Sequence, residues 1–453
     1  MSHKSVLAEG GQSKSPFPTI HHGAAGIDVG DQAHYVAVPP GSDPQPVRKF
    51  GAFTADLSAL ADWLKKCGVT TVALESTGVY WIPLFEVLEA RGFAVCLVDT
   101  RRLKSVPGRK TDVLDSQWLQ QLHTYGLLSS AFRPDQQVCQ LRSYLRQRAM
   151  LVEYASHHIQ HMQKALQQMN IKLTNVLSDI TGLTGLTILD AILGGERDPL
   201  QLAKLRDPRC KHDVETIAKS LEGHWRDDHL FELRQALALY RTYREKLGEC
   251  DRQIEACLQT FPDQSQGVEL PPRHSKRNPN APRFDARQEL FRVTGVDLTQ
   301  VDGLDANSAL KIIAEIGTDI TRWPTVKHFT SWLCLCPGNK KSGGRNLSGH
   351  TRHSGNRVAA VLRMCAQSLE RSQSAMGAYY RRMKGRLGAP KAITATAHKL
   401  ARTLYALLRY GQPYVDVGQE AYEKQYQQRI LHNLERRATH MGYILIPLKE
   451  TAS

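Results

Sequence analysis

The sequence has no apolar run near the ~20 residues that a membrane-spanning helix needs. Its first stretch, Met1 to Thr19, sets Lys4 and Lys14 among polar residues with no apolar segment behind them, so no secretory leader is expected. Paired cysteine spacing is missing too. The nine cysteines are scattered and none forms a C-x-x-C pair, which indicates neither a zinc site nor a disulfide framework. The expectation is a reduced, intracellular, cytoplasmic protein. With 41% hydrophobic and 23% charged residues, wholesale disorder is excluded, and no tandem repeat is visible.

Negative charge is scarce in one region. From Ile320 to Leu400 there are fifteen Lys or Arg residues and a single acid, Glu370. That stretch holds nearly all of the formal net charge of +15. Such concentration is the electrostatic footprint of a polyanion partner. A membrane surface would need an amphipathic anchor or a lipidation motif, and neither is present. Nucleic acid is the expected partner.

Residues 1–20 read as a flexible tail, and 21–130 as an α/β domain. Ala24 to Gly30 is a short apolar strand, followed by Tyr35 to Val38 and Val47 to Phe53 as a meander. A helix capped at Thr54 runs to Lys66, a strand from Val69 to Leu74 ends at Glu75, a helix covers Ile82 to Ala90, a strand covers Phe93 to Val98, and a helix starts near Asp112. The alternation implies parallel pairing with helices covering the sheet. From 131 to 262 the period changes. Val138, Leu141, Leu145, Val152, Ala155, Ile159, Met162, Leu166, Met169, Leu173 and Val176 form a heptad seam broken only at Arg148. A second seam runs Leu233, Leu237, Tyr240, Leu247, Ile254, Phe261. This is the pattern of a coiled coil whose two helices pair with each other within the chain or with another protomer, and the length of the first seam favours a homo-oligomer, a dimer or tetramer. A Pro-rich linker occupies 263–286, a mainly helical basic domain 287–412, and a tail 413–453.

Four acids of the α/β domain stand where a metal site can form. Asp28 ends the first strand between Gly26 and Gly30, Glu75 ends a later strand of the same sheet, and Asp112 and Asp115 share one face of a first helical turn. Oxygen-only ligands of this kind select Mg2+, with Mn2+ able to substitute, and such ions can clamp a phosphodiester. The bland alternatives are that Asp112 and Asp115 complement a helix dipole and that Asp28 is a turn residue. In the basic domain, Lys340-Lys341-Ser342-Gly343-Gly344-Arg345 sets one hydroxyl among cations in a glycine-rich loop, Ser342 to Gly349. The loop reads as a phosphate contact, as a flexible connection, or as a site for a serine nucleophile, which would need activation.

The runs Glu75-Ser76-Thr77-Gly78-Val79-Tyr80-Trp81, Val98-Asp99-Thr100-Arg101-Arg102 and Pro107-Gly108-Arg109-Lys110-Thr111-Asp112-Val113-Leu114-Asp115 resemble the amino-terminal domain of transposases of the insertion sequence 110 family. The stretch Trp332 to Arg357 is similar to their carboxy-terminal domain. The resemblance implies an RNase H-like (RuvC-like) fold with the Asp-Glu-Asp-Asp set on Asp28, Glu75, Asp112 and Asp115. It also implies Ser342 as a nucleophile joined to DNA as phosphoserine. Arg109, Lys110, Lys340, Lys341, Arg345, Arg352, Asn356 and Arg357 become nucleic-acid contacts. Donor and target DNA, and a structured bridge RNA encoded by the element, are the implied partners, with action on nucleoid DNA in a bacterial cell. Because acids and serine fall in different domains, a composite site is expected, completed in cis or between protomers. One departure is Asp305, which stands where relatives tend to have the second glycine of a helix-hairpin-helix-like turn, so the turn is expected to pack rather than grip DNA. Two rivals remain: a metal-dependent junction nuclease using water as nucleophile, and a non-catalytic nucleic-acid-binding protein.

Overall fold

Short β-branched and apolar runs ending in glycine or an acid become strands, and the longer periodic runs become helices. The computed structural model describes residues 18–76, 78–98, 112–270, 280–338, 340–411 and 414–446, with the backbone alone at Asp112, Lys340, Lys341 and Asn346. Arg109 and Lys110 lie outside the described residues. The chain divides into two units, Met1–Arg133 and Pro134–Ser453.

In the first unit, β1 (Ala24–Val29) is the central strand of a five-stranded mixed sheet. On one side β2 (Ala33–Ala37) and β3 (Val47–Gly51) follow as an antiparallel meander. On the other, β4 (Thr71–Glu75) and β5 (Ala94–Val98) run parallel to β1, giving the order β3-β2-β1-β4-β5. Helices α1 (Thr54–Lys66) and α2 (Trp81–Ala90) connect the later strands. Thr54 is the first helical residue rather than the cap. The cap position is Phe53, whose N–H donates to the Asp56 carboxylate at 3.3 Å. Alternate β1 residues Ala25, Ile27 and Val29 share one buried cluster with Leu60 and Leu64 of α1 and Leu84 and Leu88 of α2. Helix α3 (Asp112–Thr124) takes the opposite face.

The second unit begins with α4 (Gln136–Gln168), which packs antiparallel on a later helix of equal length. Four short helices come between them, α5 (Leu173–Val176), α6 (Leu183–Leu193), α7 (Pro199–Lys204) and α8 (Val214–Leu221). The second long helix is α9 (Asp227–Gln259). Each long helix has 33 residues, about 50 Å at 1.5 Å per residue. The seam does not run on as one helix to Val176: α4 stops at Gln168, and Asn170 turns with φ 59°. Leu173 then joins the cluster that Met162, Leu166 and Leu233 of the seams share with Ile188, Leu202 and Ile217. Every apolar residue of the second seam is buried, so the two seams cover one another inside one chain, and seam length no longer argues for a partner.

Arg148, the residue that interrupts the first seam, is 5% exposed and its Nε donates to Oδ1 of Asp251 on α9 at 2.5 Å. The other oxygen of Asp251 accepts from the Arg283 N–H at 3.2 Å. A buried pair satisfied this way adds little net stability but fixes register, because any slip strands both charges in the apolar seam.

The remaining residues build a mainly helical region on the foot of this hairpin. Its helices are α10 (Ala286–Thr294), α11 (Ala306–Ile316), α12 (Val326–Trp332), α13 (Arg357–Ser368), α14 (Ala375–Leu387), α15 (Ala389–Tyr410) and α16 (Gly418–His440). Arg146 of α4 forks onto Glu315 of α11 with N–O distances of 2.9 to 3.1 Å. Helix α15 is central, burying Ala392, Ala397, Leu400, Ala401 and Leu404. The turn before α11 packs as expected. Asp305 caps α11 by accepting from the Ser308 N–H at 2.8 Å, and a Cβ on Gly303 would lie 2.8 Å from the Cys365 carbonyl. Among the described residues no helix is long and apolar enough to cross a membrane.

Candidate active site

The acid end of the first unit is set by strand register. In the parallel pair β1 and β4, Ile27 stands opposite Leu74, so the next residues, Asp28 and Glu75, fall level with each other. Side chains alternate along a strand, and paired positions of parallel neighbours share a face. Asp28 and Glu75 therefore share the face opposite Ile27 and Leu74, which is the face of α3. Both are half-buried, at the edge where the apolar core stops.

Helix α3 is seated by a close approach at Gly26. A Cβ there would meet the Gln120 nitrogen at 2.3 Å and the Ser116 carbonyl oxygen at 2.4 Å. Gln120 Nε2 donates to the Ala24 carbonyl at 3.3 Å, and the Thr124 carbonyl accepts from Ile20 at 2.9 Å. The helix thus runs opposite to β1. From the Gly26–Ser116 level, two strand residues to Asp28 advance about 6.6 Å. Four helical residues back to Asp112 retreat about 6 Å, so the first turn of α3 is level with Asp28. Asp115, half-buried, precedes Leu119 by four residues on the same sheet-facing stripe, where Ser116, Leu119 and Gln120 are buried. The tip of β4 is pinned as well, since Ser76 donates to the Val98 carbonyl from both its N–H (3.1 Å) and its Oγ (2.9 Å).

The fold therefore brings three of the four acids, and the backbone of Asp112, to one end and one face of the sheet. The donor set is all oxygen, which suits Mg2+ or Mn2+. Among the described residues no three His, Cys, Asp or Glu side chains are gathered as a metal-binding group. What the scaffold fixes is the level of the strand tips and the helix start.

Ser342 stands on something more ordered than the expected loop. Strands β6 (Lys340–Ser342) and β7 (Arg345–Ser348) pair antiparallel, with Ser342 opposite Arg345. Gly343 and Gly344 form the two-residue turn with φ of 53° and 76°. Two successive positive φ values are the geometry that joins strands tightly, and glycine adopts them without steric cost. Ser342, both glycines and Arg345 are exposed. The hairpin base is tied by Gly338 N–H to the His350 carbonyl at 2.8 Å and by the Pro337–Thr351 bridge.

The cations expected around Ser342 divide by role. Arg345 lies directly across the hairpin from it, and Arg357 opens α13 with its side chain exposed. Arg352 is exposed, but its guanidinium also reaches back to the Ser331 carbonyl (2.9 Å) and Oγ (3.1 Å). Asn356 caps α13, its Oδ1 accepting from the Ala359 N–H at 3.1 Å. These two residues hold the return of the chain behind the hairpin. Of Lys340 and Lys341 only the strand position is described.

Two models of known families match the chain. A DEDD transposase model of the IS110 type, described as a transposase, covers residues 25–171, and one described as the Transposase IS116/IS110/IS902 family covers 296–381. The chain belongs to the IS110 family of transposases. The first match takes in the strand tips with their acids and the start of α3, and the second takes in the serine hairpin. Helices α15 and α16 of this transposase lie outside both. No curated protein matches the chain.

Sequence reasoning read Gly26 only as a flank of Asp28 and missed that α3 lies on it. It also missed the hairpin, although a Gly-Gly pair between two charged triplets is a turn signal.

Proposed function

We propose that this transposase cuts and rejoins DNA strands through a phosphoserine intermediate formed on Ser342. In this reading the amino-terminal sheet is an RNase H-like, RuvC-like domain, which its strand order and mixed pairing support. Asp28, Glu75, Asp112 and Asp115 would hold Mg2+, or Mn2+ in its place, and the bound ion would supply Lewis-acid stabilisation of charge on a phosphodiester. The single observation that carries the reading is the register that levels Asp28 with Glu75 on the face where α3 begins.

Ser342 Oγ attacks phosphorus, the new Oγ–P bond replaces the bond to the adjacent nucleotide, and the departing oxygen takes up a proton while the serine proton passes to solvent. Rejoining is the reverse, with a free DNA hydroxyl displacing the serine, so the phosphodiester bond energy is retained without ATP. Arg345, opposite the serine, would stabilise charge on the phosphoryl oxygens, and Arg357, Lys340, Lys341, Arg109 and Lys110 would bind the strand backbone. A structured guide RNA, action as a homo-oligomer and a cytoplasmic place of action on nucleoid DNA belong to the same proposal.

The test is a denaturing gel of protein, Mg2+, co-expressed RNA and junction DNA. A protein–DNA adduct present in the parent chain and absent in Ser342→Ala is expected. Metal-dependent cleavage that persists in Ser342→Ala without any adduct would instead identify a nuclease using water.

A further inference from the structure

Helices α14, α15 and α16 carry a group of cations that neither the serine nor the acids use. The Arg382 guanidinium lies 3.7 Å from the ring centre of Tyr426 and 5.0 Å from that of Tyr422. Lys399 Nζ is 4.5 Å from the Tyr379 ring and 5.0 Å from the Tyr422 ring, and Arg429 is 5.3 Å from Tyr426. Burial lowers the Lys399 pKa, and Arg382, Arg429 and Arg402 press it further down. Asp416, which pulls the Lys399 pKa back up in part, accepts from the Ala375 N–H at 2.9 Å, and Asp302 accepts from the Tyr414 hydroxyl at 3.3 Å. Arg382 and Lys399 are like charges that are both half-buried; Asp416 offsets part of their repulsion at Lys399, and a bound anion would relieve more of it.

Beside this group runs a groove of about 620 Å³ between the start of α12 and the length of α15. Thr325 and Val326 form one wall, Lys399 and Arg402 the other, and Tyr410 and Tyr414 stand at one end. Tyr410 is 65% exposed. By contrast Tyr405, further up α15, is buried with its hydroxyl donated to the Trp323 carbonyl at 2.8 Å. Tyr405 is a packing residue, whereas the Tyr410 hydroxyl has no hydrogen-bond partner among the described residues.

We propose that this groove binds unpaired nucleotides, with phosphodiesters on Lys399 and Arg402 and a base stacked on the ring of Tyr410. Its volume is in the range of ligand pockets, about 300–1,000 Å³. Bases reach an aromatic face in such a groove only when they are not stacked in a duplex. Cations along one wall and an open ring at the end are the two parts of a single-strand site. The wall at Thr325 and Val326 lies inside the residues matched by the second transposase model, and Lys399, Arg402, Tyr410 and Tyr414 lie outside it. The inference rests on the transposase reading only for the existence of a nucleic-acid partner.

Fluorescence anisotropy on the full-length Ser342→Ala chain tests it, with a labelled single-stranded 12-mer as RNA, the same sequence as DNA, and the corresponding duplex. Tyr410→Ala and Arg402→Gln should each weaken single-strand binding about tenfold, and Tyr410→Phe should restore it. Arg402→Gln should also flatten the slope of log affinity against log salt by about 0.7. Loss confined to RNA or to DNA supports the site and tells which strand it takes. Ultraviolet cross-linking of a 5-iodouracil strand should label Tyr410 or Tyr414. Single-strand affinity within twofold of the parent in both variants, or equal losses for single strand and duplex, overturns the proposal. Adduct formation on Ser342 is scored separately. A chain that forms the adduct yet ignores Tyr410→Ala overturns the groove alone, and one that needs Tyr410 but forms no adduct overturns the catalytic reading alone.

Discussion

The acid end of the first unit and the serine hairpin of the second solve opposite problems. Asp28 and Glu75 project from the tips of adjacent central strands whose other face is core, and α3 is pressed onto them through a glycine that leaves no space for a methyl group. Ser342 stands on two strands of three and four residues, exposed and joined by two glycines. Like charges repel, so a carboxylate set can be held level only by a frame too stiff to relax. A hydroxyl proposed to bond a bulky polymer needs access more than stiffness. The difference teaches that the strand tips bearing the acids are held by core packing, whereas the serine is held on a short exposed turn.

That contrast can be broken in several ways. The largest expected effect is from Ser342→Ala and Asp28→Asn. Each should lower strand exchange by three or more orders of magnitude, but thermal unfolding should be unmoved by Ser342→Ala because the side chain is exposed. If the site is shared between protomers, mixing Ser342→Ala chains with Asp112→Ala chains should restore exchange. No rescue at any mixing ratio would count against sharing. Next is Gly26→Val, which must push α3 off the sheet. A loss of about 2–4 kcal/mol in stability is expected from overpacking against backbone, accompanied by loss of metal-dependent exchange, read by calorimetry and by the same assay.

Gly344→Ala should be milder. A Cβ there meets no atom within 4 Å, but φ is 76°, a conformation that costs roughly 1–2 kcal/mol for an L side chain. Exchange should fall by about tenfold with a drop in melting temperature well below that of Gly26→Val, and Gly343→Asn, which tolerates positive φ, should fall less in both. An equal drop in melting temperature for Gly344→Ala and Gly26→Val would erase the distinction between the two regions.

The smallest effect concerns pH. His123, buried against Thr71 with Oγ1 and Nε2 2.8 Å apart, is pushed down to about 4 by burial and then by His21. A histidine held neutral in the fold contributes stability that is present above its unfolded value near 6.5 and is lost as pH falls toward 4. The first unit should weaken over that window, and His123→Gln should flatten the dependence in a melting series from pH 7 to 4.

The sheet was legible because strands covered on both faces read as apolar runs, and the acids marked where each run ended. Boundaries moved by a few residues, as at Val69, where β4 begins only at Thr71. The seams were legible as heptads, but a heptad does not say whose helix fills it. The interruption at Arg148 would have been the clue, since a buried guanidinium needs an acid and Asp251 lies in the other seam's helix. The serine hairpin was legible only at its Gly-Gly turn, because strands of three or four residues, charged and exposed, carry no alternation. The groove was invisible for a different reason: Val326 and Arg402 are far apart in sequence and meet only when α15 lies across α12.

The paired long helices amount to an arm of one fixed extension. Sliding one helix past the other by a single heptad would leave hydrocarbon facing hydrocarbon almost everywhere, yet would maroon a guanidinium and a carboxylate apart. One mismatched rung therefore vetoes every other setting of the ladder, and the small helical cluster at the far end is carried at a single reach.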